Sequence, residues 1–168
     1  MKRLIFIFAV VTCIITTSCS DSQEDPIYDG APYIHELFLI FEDEAGKNLV
    51  MGMNSPKDTS VVKENDYSLF FTDKYSNRTP IYDLSYVLIN GNKYLDFSRP
   101  ILGRNTQTIK FEFACRHIFG DMTLHMIEAH FEASKESAFL RQCVSLVFDG
   151  TYYPADSDSR VVIKLRSE

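Results

Sequence analysis

Three of the four histidines fall in one stretch, CRHIFGDMTLHMIEAH, as His117, His125 and His130, with Asp121 and Glu128 nearby. Imidazole and carboxylate are suitable zinc ligands, but this spacing matches no metal motif. On a regular strand His125 and His130 have opposite parity, and on a helix residues five apart also diverge. No metal is expected, and the three read as surface or packed histidines. Cys115 precedes His117 by two residues, yet nothing marks a nucleophile turn or a third orienting group, so no catalytic residue is assigned. The loop DGTYYPADSDSR holds Asp149, Asp156 and Asp158. Alternating aspartates suit calcium, but the run lacks the Gly and the late bidentate Glu of an EF-hand, so a solvated loop is expected. Tyr152 and Tyr153 beside those acids could make a small stacking platform. Tyr152, Tyr153, Asp156 and Asp158 are therefore the expected ligand contacts. The chain has nine Tyr and no Trp, which weakens a glycan reading without removing it. No cofactor is called for.

Cys115 and Cys143 lie on separate expected strands. Outside the cytoplasm two such thiols often pair, and a bridge between sheets is one reading of them. Its closed loop would stabilise by roughly 3 kcal/mol in the chain-entropy model. Two buried free cysteines acting as small apolar residues are the other reading.

The elements that must position these residues read as strands. YIHELFLIFEDEAGKNLV fits a buried strand over Ile34 to Phe41, a turn around Gly46 and a short strand near Leu49. DYSLFFTD is a further strand. In YDLSYVLINGNKYLDF, Asn90-Gly91 supplies the positive φ angles of a tight hairpin between strands at Leu84–Ile89 and Lys93–Phe97. QTIKFEFACRH alternates, with Ile109, Phe111, Phe113 and Cys115 on one face and Lys110, Glu112 and Arg116 on the other. MTLHMIEAHFEA fits either period, since Leu124, Ile127, Glu128 and Phe131 also have helical spacing. Its Thr, Ile and Phe favour a strand. CVSLVFDGTYY is a hairpin about Asp149-Gly150, and RVVIKLR a closing strand. About eight or nine short strands with turns between them predict an all-β, antiparallel two-sheet sandwich.

The N-terminus has a different grammar. Lys2 and Arg3 precede an apolar run from Leu4 to Ile15, too short for a bilayer core that needs ~20 residues. A basic start, a short apolar run and small residues before a cut make a secretory signal. TTSC then resembles the lipobox of bacterial lipoproteins, in which a small residue precedes a cysteine that becomes the acylated N-terminus. Ser18 and Thr17 suit that pattern and Thr16 departs from it. Cys13, after Thr12, is the poorer alternative. The resemblance implies lipidation of Cys19 by diacylglyceryl and fatty-acyl chains. Each buried CH₂ contributes roughly 0.8 kcal/mol, so two or more chains anchor durably. SDSQEDP has nothing to bury and reads as a disordered acidic tether. It also resembles, loosely, the export signal of some surface lipoproteins of Gram-negative bacteria. The expected organisation is a lipoprotein signal peptide at 1–18, the lipidated cysteine and tether at 19–32, and a β-sandwich domain at 33–168.

Removing residues 1–18 takes away Lys2 and Arg3 and no acid. Basic residues fall from 17 to 15 against 23 acids, so the net charge moves from −6 to −8. An acidic body without a basic stripe has no electrostatic reason to bind nucleic acid. About 140 residues suffice for one domain with a real core.

FLIFEDEAGKNLV, and more weakly HIFGDMTLHMI, make the chain resemble small lipobox-bearing lipoproteins of Gram-negative gut bacteria that carry an immunoglobulin-like sandwich. That resemblance implies an immunoglobulin-like fold at the outer membrane, on its surface or periplasmic face. The expected function is a membrane-anchored binding or accessory module for a glycan, a peptide or an envelope protein. A structural subunit of an envelope assembly, and a hydrolase with a carboxylate pair, are the alternatives.

Overall fold

The computed structural model describes residues 32–53, 66–72, 76–101 and 107–166. The stretches expected to be a signal peptide and a tether, and Cys19 between them, lie outside the described residues as far as residue 31. Twelve strands are described: β1 Tyr33–Glu36, β2 Phe38–Glu42, β3 Tyr67–Thr72, β4 Arg78–Pro80, β5 Ser85–Ile89, β6 Asn92–Asp96, β7 Arg99–Ile101, β8 Thr108–Cys115, β9 His125–Ala133, β10 Leu140–Phe148, β11 Thr151–Pro154 and β12 Arg160–Lys164. They form two sheets. The larger runs β4-β3-β8-β9-β10-β1-β7, with β11 added to β10; the smaller runs β12-β2-β6-β5. The all-β, two-sheet architecture is as the periodicity requires.

The sheets are mixed, which corrects the antiparallel expectation. β1 pairs parallel with β10, and β2 pairs parallel with β12. The cause lies in the segment expected to be one strand over Ile34 to Phe41. It is two strands in two different sheets, split at Leu37. There the backbone leaves both ladders: the Leu37 N–H donates to Ser98 Oγ at 3.2 Å, and its carbonyl accepts from Phe97 N–H at 2.9 Å. Leu37 is fully buried, and Tyr33, His35, Leu39 and Phe41 continue its inward parity. The sequence therefore shows one uninterrupted pattern across a change of sheet.

Two hairpins form at the expected dipeptides. Asn90 and Gly91 have φ of 51° and 80°, and Asp149 and Gly150 have φ of 44° and 81°, the left-handed pair that matches strand twist. β8 buries Ile109, Phe111, Phe113 and Cys115. The ambiguous segment is strand β9, because both of its edges find ladders, with β8 and with β10. Near Leu49 the short strand expected is instead a 3-10 turn, Leu49–Gly52. Asn48 caps it by accepting from Val50 N–H at 2.9 Å. Strand β8 ends at Cys115, and a one-turn helix, α1 (Arg116–Phe119), follows and stops at left-handed Gly120.

Between the sheets lies an aromatic core. Phe97 of the β6–β7 connection packs edge-on against Phe111 and Phe113 of β8 at 5.4 and 5.2 Å. Phe41 reaches across to Phe113 and Phe148 at 5.9 and 5.8 Å. Each such ring contributes about 1.5–3 kcal/mol by burial. A bulge between Cys143 and Ser145 re-phases β10, so Arg141 and Cys143 before it and Leu146 and Phe148 after it all face inward.

Cys115 and Cys143 are both free and buried. The bridge considered from sequence is not formed, and register shows why. The two lie on strands β8 and β10 of one sheet, with β9 between them. Phe113 pairs with His125, whereas Cys143 pairs with Phe131, so the cysteines are offset by more than about 20 Å along β9. A disulfide spans only about 4.4–6.8 Å between Cα atoms. Burial raises the Cys115 thiol and pushes Cys143 up to about 12. Among the described residues no helix is long and apolar enough to cross a membrane.

Candidate functional site

A concavity sits at the end of the sandwich where β2, β9 and β12 meet α1. It starts from the Asp149-Gly150 turn. Antiparallel pairing sets Phe148 opposite Ile127, so the next residue, Asp149, falls beside the start of β9. Its positive φ turns the carboxylate back over that strand. One oxygen accepts from Met126 N–H at 2.8 Å, and the other lies 2.6 Å from His125 Nδ1. A carboxylate only accepts, so Nδ1 is the donor; the remaining nitrogen, Nε2, accepts in the neutral ring and donates in the imidazolium.

Aromatic rings hold the imidazole in place. Phe119 of α1 lies 4.0 Å from it and Phe148 stacks at 5.4 Å, 19° from parallel. Phe119 is itself wedged against Phe41 and Phe113 at 5.3 and 5.7 Å. The helical turn after β8 thus carries the core's packing out to the histidine.

His125 opens on a groove of about 830 Å³, floored by Leu49, Ile118 and Phe119 and rimmed by Asp43, Asp121 and Arg166. Asp121 Oδ1 accepts from Thr123 N–H at 2.8 Å. That bond, then the Thr123 side chain, and least the charge of His125, hold its carboxyl below the usual range. The Asp43–Lys47 turn forms one wall, closed by Lys47 N–H to Asp43 Oδ1 at 2.9 Å and by Gly46 at φ 76°. Beyond this wall a second groove of about 580 Å³ runs past Thr151, Tyr153 and Lys164 and shares Arg166. The pair of grooves offers hydrogen-bond acceptors, one guanidinium and an apolar floor.

The expected contacts divide between places. Tyr153 lines the second groove and donates to the Lys164 carbonyl at 3.3 Å. Tyr152 has opposite parity, pairs with Val147 and stands in solvent, so the two rings do not share a platform. Asp156 and Asp158 lie at the far end of β11 from Asp149, in a turn built around Arg160. Asp156 accepts from the backbone N–H of Asp158 and Arg160 at 2.9 and 3.0 Å and from Arg160 Nε at 2.7 Å; Asp158 meets Arg160 Nη2 at 2.7 Å. Burial raises the Asp156 carboxyl, but these bonds outweigh it and hold it below the usual range.

The histidines part company too. His117 on α1 bonds the Leu49 carbonyl at 3.1 Å, and a Cβ at Gly52 would come within 2.8 Å of its Nε2. His130 lies on the outer face of the larger sheet, 3.2 Å from Thr108 Oγ1. Among the described residues no three metal-ligating side chains converge. Sequence reasoning missed the His125–Asp149 pair. The Asp-Gly hairpin was its signal, but the partner depended on the β9–β10 register.

No protein family, curated protein or solved structure matches the chain.

Proposed function

We propose that the chain is an extracytoplasmic binding or accessory module, tethered to the outer membrane by acyl chains on Cys19, with a ligand seated in the groove beside His125. One observation carries the binding reading: an imidazole locked by Asp149 lines a groove with an apolar floor and a few convergent polar groups. That is the usual make-up of a small-ligand site. Asp121, and Nε2 of the neutral ring, suit a ligand that donates hydrogen bonds, as glycan hydroxyls or a peptide's amines do. The signal-like Leu4–Ile15 run and TTSC support the anchor. The change of sheet at Leu37 and the two-sheet core support reading the sandwich as immunoglobulin-like.

The experiment is a glycan and peptide array probed with the detergent-purified chain and its His125→Ala variant. Binding to one ligand class that the variant loses is the expected result; equal binding by both would remove the groove from the proposal. The anchor is checked separately. Incorporation of a fatty-acid probe should vanish in Cys19→Ala, and persistent labelling would place the lipid elsewhere.

A second reading, a subunit that joins an envelope assembly through a strand edge, is favoured by β5. It ends the smaller sheet with neither proline nor charge, and Leu88 on it is 65 % exposed. The larger sheet's edge strands carry Pro80 and Pro100, residues that blunt such pairing.

A further inference from the structure

A row of basic side chains crosses the other end of the larger sheet, remote from the groove. Arg99 on β7 stands opposite His35 on β1, and His35 stands opposite Arg141 on β10. Adjacent strands run about 4.8 Å apart, so the three form one cross-strand row in a chain whose net charge is −6. The row is inward: His35 is 1 % exposed and Arg141 9 %, and the imidazole edges onto Phe131 at 5.0 Å.

Arg141 is accounted for. Its guanidinium lies 4.4 Å over the Tyr33 ring, and Nη1 donates to the carbonyls of Ala138 and Leu140. Arg99 is not. Its Nη1 donates to the Ser98 carbonyl at 2.8 Å, but among the described residues no hydrogen-bond acceptor meets the buried Nε and Nη2. The carboxylate paired with it, Asp83, stands 3.5 Å from Nη2 and is 85 % exposed. Leaving charged donors unmet in a buried setting costs stability.

The molecule shows elsewhere what this edge of a guanidinium takes. Arg78 uses the same two atoms, Nε and Nη2, as a fork on both oxygens of Glu112, at 2.9 to 3.1 Å. Such a fork matches the oxygen spacing of a carboxylate or a phosphate, a geometry that Lys does not reproduce.

We propose that the Nε–Nη2 edge of Arg99 is a binding site for an oxyanion from outside the chain, a carboxylate or a phosphate group, with exposed Asp83 standing where that group sits and giving way to it. The site is independent of the groove and of the anchor.

The test is a titration of the detergent-purified chain with inorganic phosphate and, separately, acetate, with sodium chloride matched for ionic strength. The readout is the ¹H–¹⁵N resonances of the arginine Nε–H groups. The Arg99 resonance, assigned by its loss in Arg99→Lys, should shift and saturate, while that of Arg78, already engaged by Glu112, stays in place. Asp83→Ala removes the stand-in and should tighten binding about tenfold, the scale of one charge-assisted contact. Asp83 is solvent-exposed, so this variant keeps the test decisive if Arg99 substitutions fail to fold. Saturation by acetate alone assigns a carboxylate; saturation by phosphate assigns a phosphate group. The proposal is overturned if the Arg99 resonance stays unmoved in both the parent and Asp83→Ala. It is equally overturned if the resonance moves alike with chloride.

Discussion

At the groove end, His125 faces a carboxylate; at the opposite end, His35 lies between two arginines. Both imidazoles come from strands of the larger sheet. They differ in what the neighbouring chain brings. At His125 a hairpin turn with a left-handed Asp returns over the strand, so a short acidic side chain reaches the ring. At His35 the neighbours are strands in full register, and strand pairing offers only whatever side chain stands directly opposite: Arg99 on one side, Arg141 on the other. The first end is oriented, partnered and open to a groove. The second is buried, with His35 Nδ1 3.2 Å from the Tyr33 carbonyl, and leaves two donors of Arg99 unmet among the described residues. Turns deliver partners by chemistry local to the turn, whereas strands deliver them by register.

The two cysteines give the widest contrast between the ends. Cys115 leads into α1 beside the groove, and Cys143 follows Arg141 by two residues. With its thiol near 12 against an ordinary 9.0, Cys143 should alkylate at pH 8 about a thousandfold more slowly than an exposed peptide thiol. Mass spectrometry after timed iodoacetamide treatment reads this. Labelling at the peptide rate would mean that the row end opens freely.

Phe119→Ala should collapse the groove end and spare the row. The ring contacts Phe41, Phe113, Phe148 and His125 together, so its loss should destabilise by about 3 kcal/mol, the large-to-small range. Urea unfolding measures it, and a change below about 1 kcal/mol would show that the helix is not tied to the core.

Asp149→Ala removes the acceptor of both the His125 ring and Met126 N–H. The expected cost is about 2 kcal/mol, since each bond is to a charged group near the surface. Asp149→Asn should recover part of it, because an amide oxygen still accepts from one donor. Equal losses in both variants would mean that the charge, not the geometry, holds the ring.

Gly52→Ala pushes a methyl into His117 Nε2 and should break its bond to the Leu49 carbonyl, at about 1 kcal/mol. It loosens the groove's 3-10 wall without touching His125, so array binding should weaken less than in His125→Ala. Weakening equal to that of His125→Ala would show that the wall, more than the imidazole, holds the ligand.

The smallest effect is pH-dependent and lies at the Arg160 turn. The folded Asp156 carboxyl sits below its unfolded range, so its stabilisation is present above the unfolded pKa and lost as pH falls through the folded one. Asp156→Asn should cost about 0.5 kcal/mol or less at pH 7, because the pair is solvent-screened, and progressively less as pH falls through the folded pKa. A penalty that persists in acid would mean that the backbone bonds, not the charge, supply the effect.

Much of the fold could be read from residues alone. The alternation through Ile109, Phe111, Phe113 and Cys115 is a strand's period, and Asn90-Gly91 and Asp149-Gly150 are turns because those residues tolerate positive φ. These signals need only near neighbours. The strand count was short because Arg78–Pro80 and Arg99–Ile101 are three-residue edge strands, too brief to show a period. The one-turn helix α1 was hidden because Arg116 continues the alternation of the preceding strand and Arg116–Phe119 is too short to show a helical period. Tyr153 could be anticipated as a groove residue, since it follows the hairpin; the roles of Asp156 and Asp158 as clamps on Arg160 could not, because RVVIKLR reads only as a strand.

The sequence by itself determined the β character of the body and its principal turns, since periodicity and φ preference act within a few residues. Only the tertiary structure decided where the chain changes sheet, that Cys115 and Cys143 stand far apart, and which partners His125 and Arg99 meet. A run such as Ile34 to Phe41 keeps the same inward parity whether or not its strand changes sheet. Partners 24 or 64 positions apart are chosen by the register of whole strands, a property of the assembled sheet that no local stretch contains.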